Sequence, residues 1–473
     1  MQTYLIILFS AVVAFVAVRW CYFKVLRIAK ARGIVDRPDA RKLQKHPVPV
    51  LGGIAVFFGL VVGVLAGASL NRLLSGQPPV FLAPPLCAMI VMIYVGSMDD
   101  VVGLSPFVRF MAEILTIICL IFASNSCVDS LHGLWGINRF SWWIAVPLTI
   151  FAGVGIINAI NMIDGVNGLC SGLCLISCCM FGYAFIRVED MPNAILSFAM
   201  VAALIPFFLH NVFGKRSRMF LGDAGTMMIG MMMVWFTIVF LSANSSVRLL
   251  AAHKNLSMIA MVLAILSVPV FDTVRVMTQR IYHGYSPFHP DKTHLHHVFI
   301  RAGVSHSITT LIEISVNLLI VGIWALSAKL HCGIDVQLYI VVLVSIIFVW
   351  GLYFFIARHE RKHTAFMHRL ARFGIKSHLG HTETWIKLES MLDAPLGETK
   401  EEEEEEEEED QSLRFYGFLK GKAEVYVDDI KNRSGINPDL VDRLVDEGIN
   451  DGRIRQVKAG LWGLPMIITL NEE

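Results

Sequence analysis

The chain has 473 residues, 55% of them hydrophobic and only 17% charged, with a mean hydropathy of +0.60. Soluble domains carry about a quarter charged residues, so this composition argues against an ordinary soluble protein and for lipid as the main solvent. The net charge of +1 excludes no partner, because basic residues gather in a few short loops while acid gathers near the C-terminus.

Met1 to Phe23 is apolar, lacks a basic leader and a small-residue cleavage site, and runs directly into Lys24, Arg27, Lys30 and Arg32. It is read as a first membrane span rather than a cleaved signal. Apolar stretches of membrane-spanning length, about 17–25 residues, fall near 4–23, 51–70, 80–97, 107–124, 141–160, 168–187, 194–213, 219–242, 257–277, 308–328 and 337–357. The expected fold is therefore an all-α polytopic membrane protein with about eleven transmembrane helices. Alternate loops decide its orientation. Lys24 to Lys45, Lys215 to Arg218, Arg275 to Arg301 and Arg358 to Arg372 are rich in Lys and Arg, and the loops between them are poorer. The positive-inside rule makes the first set cytoplasmic, with the N-terminus outside and the C-terminus inside. The nine cysteines lie mostly in apolar runs and read as packing residues; Cys127 and Cys332 share the outer set of loops and are the pair open to bridging.

Residues 1–357 form the expected membrane domain. Residues 358–410 comprise a basic segment followed by Glu401 to Asp410, a self-repelling run that reads as a disordered linker. Residues 411–473 read as a small cytoplasmic α+β domain. Helical patterns through Val427–Arg433 and from Pro438 to about Glu447 precede strand-like runs at Ile454–Lys458 and Pro465–Leu470, an order that resembles a winged helix. Asp439, Asp442, Asp446 and Glu447 outweigh Arg443 on its second helix, so a protein partner is expected and nucleic acid is not.

Charged side chains are costly at membrane depth, and here the polar residues collect at span ends on the face assigned to the cytoplasm. Asp99-Asp100 closes the third span, where two adjacent carboxylates suit a cation or a proton-transfer role, or a solvated helix end. In the block Asn161 to Gly168, two glycines permit close approach of the backbone, and Asn161, Asp164 and Asn167 would share a face if helical. Asn211 precedes Phe220-Leu221-Gly222-Asp223-Ala224-Gly225, in which Asp223 opens an apolar span as a cap or metal ligand. The longest cytoplasmic loop holds His289, Lys292, His294, His296 and His297, suited to phosphate oxygens, proton transfer or zinc. Carboxylates without cysteine ligands favour Mg²⁺, and Mg²⁺ with His and Lys at a bilayer surface suits phosphoryl transfer.

These blocks, together with Asp36-Arg37-Pro38, Arg41-Lys42 and Pro47 to Gly53, resemble in order the polyprenyl-phosphate N-acetylhexosamine-1-phosphate transferase family over roughly residues 1–330. The resemblance implies a bacterial cytoplasmic-membrane enzyme. Undecaprenyl phosphate would attack the β-phosphate of a UDP-N-acetylhexosamine, most simply UDP-GlcNAc, to give a lipid-diphosphate sugar and UMP, the first membrane step of a cell-surface glycan such as lipopolysaccharide O-antigen. It further implies Mg²⁺, with Mn²⁺ as a substitute, held by Asp223 with Asp100. Asp99 and Asp100 would handle the lipid phosphate, Lys45, Asn167, Asn211 and Phe220 the uridine, and Asp164 and Asn161 the centre. His294, His296 and His297 would contact the diphosphate and sugar. A homodimer is compatible with this reading. Gln44 and Asn167 depart from the family's pattern, where His and Asp are common, and the chain after about 358 has no counterpart in it. The alternatives are the peptidoglycan enzyme that uses UDP-MurNAc-pentapeptide and an anion transporter, although no inverted repeat is evident.

Overall fold

A computed structural model of the chain describes residues 2–36, 47–76, 82–243, 255–287, 293–361 and 382–396, with Val247 and scattered positions from 366 to 469. It forms two compact units, Met1–Pro395 and Leu396–Glu473.

The first unit is helical. Its helices are α1 (Gln2–Arg32), α2 (Gly52–Ser75), α3 (Ala83–Val102), α4 (Pro106–Ser124), α5 (Trp142–Met162), α6 (Leu169–Arg187), α7 (Met191–Phe213) and α8 (Gly222–Leu241), and the two-residue strands β1 (Val35–Asp36) and β2 (Val48–Pro49) pair between α1 and α2. Then come α9 (Met258–Ile265), α10 (Ser267–Tyr282), the short α11 (Leu295–Arg301), α12 (His306–Lys329) and α13 (Ile334–Glu360). Among the described residues, ten helices are long and apolar enough to cross a membrane. This unit is that of a multi-pass, helical membrane protein.

The expected straight span near 257–277 is instead broken: α9 and α10 meet at 80°. The cause is local. Pro269 has no N–H to give Ile265, four residues earlier, and its ring disfavours a continuous helix. The freed Ile265 carbonyl accepts hydrogen bonds from Ser177 Oγ (3.3 Å) and Asn317 Nδ2 (3.1 Å). Asn317 Oδ1 in turn accepts from Ser267 Oγ and Val268 N at 2.9 and 3.2 Å. Buried amide and hydroxyl side chains thus satisfy the backbone that the break exposes, as a membrane interior requires. The bent pair begins beside Gln337, which accepts from Ser257 N at 3.0 Å, and ends beside the cavity described below. Counted as one crossing, it brings the total to eleven.

Helix α8 is the centre, wholly buried against α2, α3, α5 and α9. Met227, Met228, Met231, Met232 and Met233 fill its irregular surroundings with unbranched, adaptable side chains. Peripheral helices turn apolar groups outward instead, as with Trp143 (87% exposed) and Phe151 (80%) on α5. Large exposed apolar side chains on a soluble surface would be a liability, and here they form the lipid-facing ring.

In the second unit, strands β3 (Glu424–Tyr426), β4 (Ile454–Ala459) and β5 (Leu464–Thr469) form an antiparallel sheet in the order β3-β5-β4. The last two match the expected strands to within a residue or so. Helix α15 (Pro438–Asn450) buries Leu440, Val441, Leu444 and Val445, a helical spacing, within a core that includes Phe415 and Ile430. Asp442, Asp446 and Glu447 face outward, with Asp442 paired to Lys431 at 2.6 Å.

Candidate active site

The site begins where α3 ends and α8 starts. Helix α8 has no side-chain cap of its own, so its first N–H groups need an acceptor from elsewhere. Asp100 supplies it: Oδ1 accepts from Asp223 N (2.9 Å) and Oδ2 from Ala224 N (3.1 Å). A carboxylate there also meets the positive end of the helix dipole. Gly222 has φ +74°, and a Cβ at that position would collide with Val50 O and Asp100 Oδ2, so glycine is what admits the carboxylate.

The adjacent Asp99 points elsewhere. Its Oδ1 accepts from Leu104 N (2.7 Å), and its Oδ2 pairs with Arg109 Nη1 on α4 at 2.6 Å. Arg109 also reaches Asn161 Oδ1 (3.3 Å) and Asp223 Oδ2 (3.5 Å). Asn161 Nδ2 closes the circuit by donating to Asp223 Oδ1 and to Thr226 Oγ1. Two carboxylates, Asp99 and Asp223, therefore flank one guanidinium with Asp100 close by at the α8 start, leaving a negative surplus, and the Asp223 side chain remains about one-third exposed (32%).

A second cluster stands on α10 and α11. Buried Asp272 accepts from Arg275 Nη2 (2.6 Å) and Nε (3.1 Å), lies 2.8 Å from His294 Nδ1, and receives Leu295 N at 3.3 Å. Arg275 is fully buried, donates to Gln279 Oε1 and Thr293 O at 2.6 Å, and lies 3.5 Å from the Tyr353 ring centre. A buried ion pair is tolerated when its remaining donors and acceptors are met like this. Asp272 holds His294 Nδ1, fixing the ring and leaving Nε2 for other partners. His296 stacks on His294 with ring centres 5.6 Å apart, and its nitrogens have no hydrogen-bond partner among the described residues. Burial, then the neighbouring imidazoles, push His296 well below the usual histidine range, so it is neutral at neutral pH.

A cavity of about 560 Å³ lies between Arg109 and Asn161 of the first cluster and His294 of the second. Arg109, Asn158, Asn161 and Glu113, whose carboxylate accepts from Asn158 Nδ2 at 2.7 Å, line one side, Arg280, His294 and His297 the other, and Phe107 and Phe110 give it an apolar margin. An anionic group with an apolar extension suits such a space.

A model described as glycosyl transferase family 4 matches residues 82–241. The undecaprenyl-phosphate alpha-N-acetylglucosaminyl 1-phosphate transferase of Yersinia pestis is 32% identical over 328 residues, covering 67% of this chain and 82% of that protein. The enzyme of the same name from Escherichia coli K12 is 31% identical over 307 residues, 62% and 76% of the two chains. A probable undecaprenyl-phosphate N-acetylglucosaminyl 1-phosphate transferase of Bacillus subtilis is 31% identical over 291 residues, 61% and 75%. The chain belongs to the polyprenyl-phosphate N-acetylhexosamine-1-phosphate transferase family.

Within this transferase the expected residues divide. Asp99, Asp100, Asn161 and Asp223 come together, and His294 and His297 meet Asn161 across the cavity. Asn161, Asp164 and Asn167 do not share a helical face, because α5 ends at Met162 and turns follow. Asp164 lies exposed in the turn that follows α5. Asn167 is tied through its backbone, its carbonyl accepting from Thr310 Oγ1 at 2.8 Å. The buried Asn211 amide is committed to backbone, accepting from Gly168 N (2.6 Å) and donating to Met219 O (3.0 Å). Phe220 is half-buried, with its N–H on Pro49 O at 2.7 Å. Lys45 lies outside the described residues. Arg109, Asp272 and the site-facing role of Arg280 are absent from the sequence reading, although an isolated Arg or Asp within an apolar span is itself a signal.

Proposed function

We propose that the protein transfers N-acetylhexosamine-1-phosphate, most simply GlcNAc-1-phosphate, from a UDP-sugar to undecaprenyl phosphate, releasing UMP. The relatives named above carry this activity in their names. The observation that carries the reading is a cavity walled on one side by Arg109 and Asn161, which hold the carboxylates at the α8 N-terminus, and on the other by Arg280, His294 and His297. The lipid phosphate oxygen attacks the β-phosphorus, the α–β phosphoanhydride bond breaks, and its electron pair leaves on UMP. A phosphate monoester is already a nucleophile, so alignment and charge neutralisation outweigh base catalysis.

In this reading Arg280, His294 and His297 receive the diphosphate and sugar, with His294 oriented by Asp272. Arg109 holds Asp99 and Asp223 apart at fixed separation. Phe220 offers its ring to uracil, Asn211 and Asn167 shape the uridine pocket, and Lys45 joins them. The donor set fits Mg²⁺, or Mn²⁺ in its place: hard oxygens, a negative surplus and an Asp223 Oδ2 whose partner is long at 3.5 Å. Among the described residues no three such donors converge on one point. Asp223, with Asp100 behind it, would hold the ion while substrate phosphates complete its shell, and the bound ion would neutralise charge on the transferring phosphoryl group.

The basic loops support a cytoplasmic position for this face and for the chain after α13, with the N-terminus outside, and the bacterial relatives support a bacterial cytoplasmic membrane. The second unit serves as a winged-helix-like protein-contact module. Purified protein given undecaprenyl phosphate, Mg²⁺ and a panel of UDP-sugars tests the reading through released UMP. Lipid- and Mg²⁺-dependent UMP from UDP-GlcNAc is expected. Release from UDP-MurNAc-pentapeptide alone would move the protein to the peptidoglycan branch, and none from any donor would remove the proposal.

A further inference from the structure

Lys215, Arg216 and Ser217 present three successive backbone N–H groups to one carboxylate from far along the chain. Asp393 Oδ2 accepts from Lys215 N (3.1 Å) and Arg216 N (2.9 Å), and Oδ1 accepts from Ser217 N (3.0 Å) and from Ser217 Oγ. Consecutive N–H groups arranged this way form a concave anion site, and Asp393 fills it while only 8% exposed. Its helix, α14 (Glu383–Asp393), lies within the 358–410 segment, ahead of the acidic run, where no folded element is expected from the sequence. It docks on α7 through Trp385 and Phe213, whose ring centres are 4.5 Å apart.

The loop that Asp393 grips, residues 214–221, is held from beneath as well. Tyr22 Oη donates to Ser217 O (2.8 Å), His210 Nδ1 lies 3.0 Å from Ser217 Oγ, and Asn211 Nδ2 holds Met219 O. Downstream, the same loop delivers Phe220 and then Asp223 to the site. Without the carboxylate, these three N–H groups would lose the acceptor that gathers them.

We infer that Asp393 is a positioning residue for the nucleotide half of the active site. It fixes the 214–221 loop from above, so that Phe220 is preorganised for the donor. This rests on the reading that Phe220 meets the uridine. It assigns a catalytic consequence to a segment beyond the last membrane span.

The test uses the full chain. Asp393→Ala is expected to raise KM for the UDP-sugar about tenfold, while kcat and KM for the lipid phosphate change less than about threefold. Asp393→Asn, which keeps one acceptor oxygen, is expected between it and wild type. A merely structural defect would lower the active fraction, so kcat would fall with both KM values unchanged; that pattern overturns the inference, as does an unchanged donor KM. If Asp393→Ala does not fold, Asp393→Asn decides by the same split. Wild-type turnover is measured in the same series, so loss of the proposed reaction itself is seen separately.

Discussion

The carboxylate side and the histidine side of the cavity solve the same problem in opposite ways. At the α3–α8 junction the acids outnumber the bases, and the Asp223 side chain is partly open with its Arg109 partner 3.5 Å away. At α10–α11 a single buried Asp272 is balanced by Arg275, and the cluster is closed to solvent. The first arrangement keeps a surplus of charge available for a ligand. The second spends its charge internally to aim one imidazole. Reactive capacity therefore resides in the under-compensated side, and precision in the compensated one.

Substitutions on the two sides should separate in kind. The largest effect is expected from Asp223→Asn, which removes charge from the under-compensated side: turnover should fall about 10³-fold or more with the protein still folded in detergent. Full activity in that variant would remove Asp223 from the chemistry. Next, Arg109→Ala leaves Asp99 and Asp223 facing each other and should cost about 10²-fold in kcat. Arg109→Lys should rescue it poorly, because an ammonium cannot span Asp99, Asn161 and Asp223 together. Equal rates for the Lys variant and wild type would show that only a local positive charge is needed.

On the compensated side the loss should be one of stability first. Asp272→Asn leaves the Arg275 charge buried and should cost about 3–5 kcal/mol, seen as a lowered Tm, with kcat down about tenfold as His294 loses its anchor. A stable Asp272→Asn with unchanged kcat would sever Asp272 from the site. The smallest effect is expected from deleting residues 411–473: turnover in vitro should stay within about twofold of the full chain, and a dead truncation would show that the second unit belongs to the catalytic machinery.

The sequence reveals the junction better than the clamp. Asp99-Asp100, the 161–168 block and Asp223 stand out because charges and amides at the ends of apolar runs are conspicuous. What it hides is how neighbours divide: Asp100 turns to cap α8 while Asp99 turns to Arg109, and His294 is anchored while His296 is buried against Gly165. Adjacent residues on a helix end point in different directions, and only the packing of α3 on α8 says which goes where. The break at Leu266 was encoded in Pro269, yet a window of apolar residues reads straight through it. Helix α14 escaped for a different reason: a short amphipathic segment between charged stretches carries no membrane-length signal, and its partner loop is more than 170 residues away by the Asp393–Lys215 separation of 178.

The proposed reaction requires the β-phosphate to travel with the sugar. UDP-GlcNAc labelled at its β-phosphorus is incubated with the protein, undecaprenyl phosphate and Mg²⁺. The label is expected to enter the lipid fraction in proportion to UMP released, and neither is expected with Asp223→Asn. Label left on soluble UDP while sugar enters the lipid would mean transfer of the sugar alone, and would rule this reaction out.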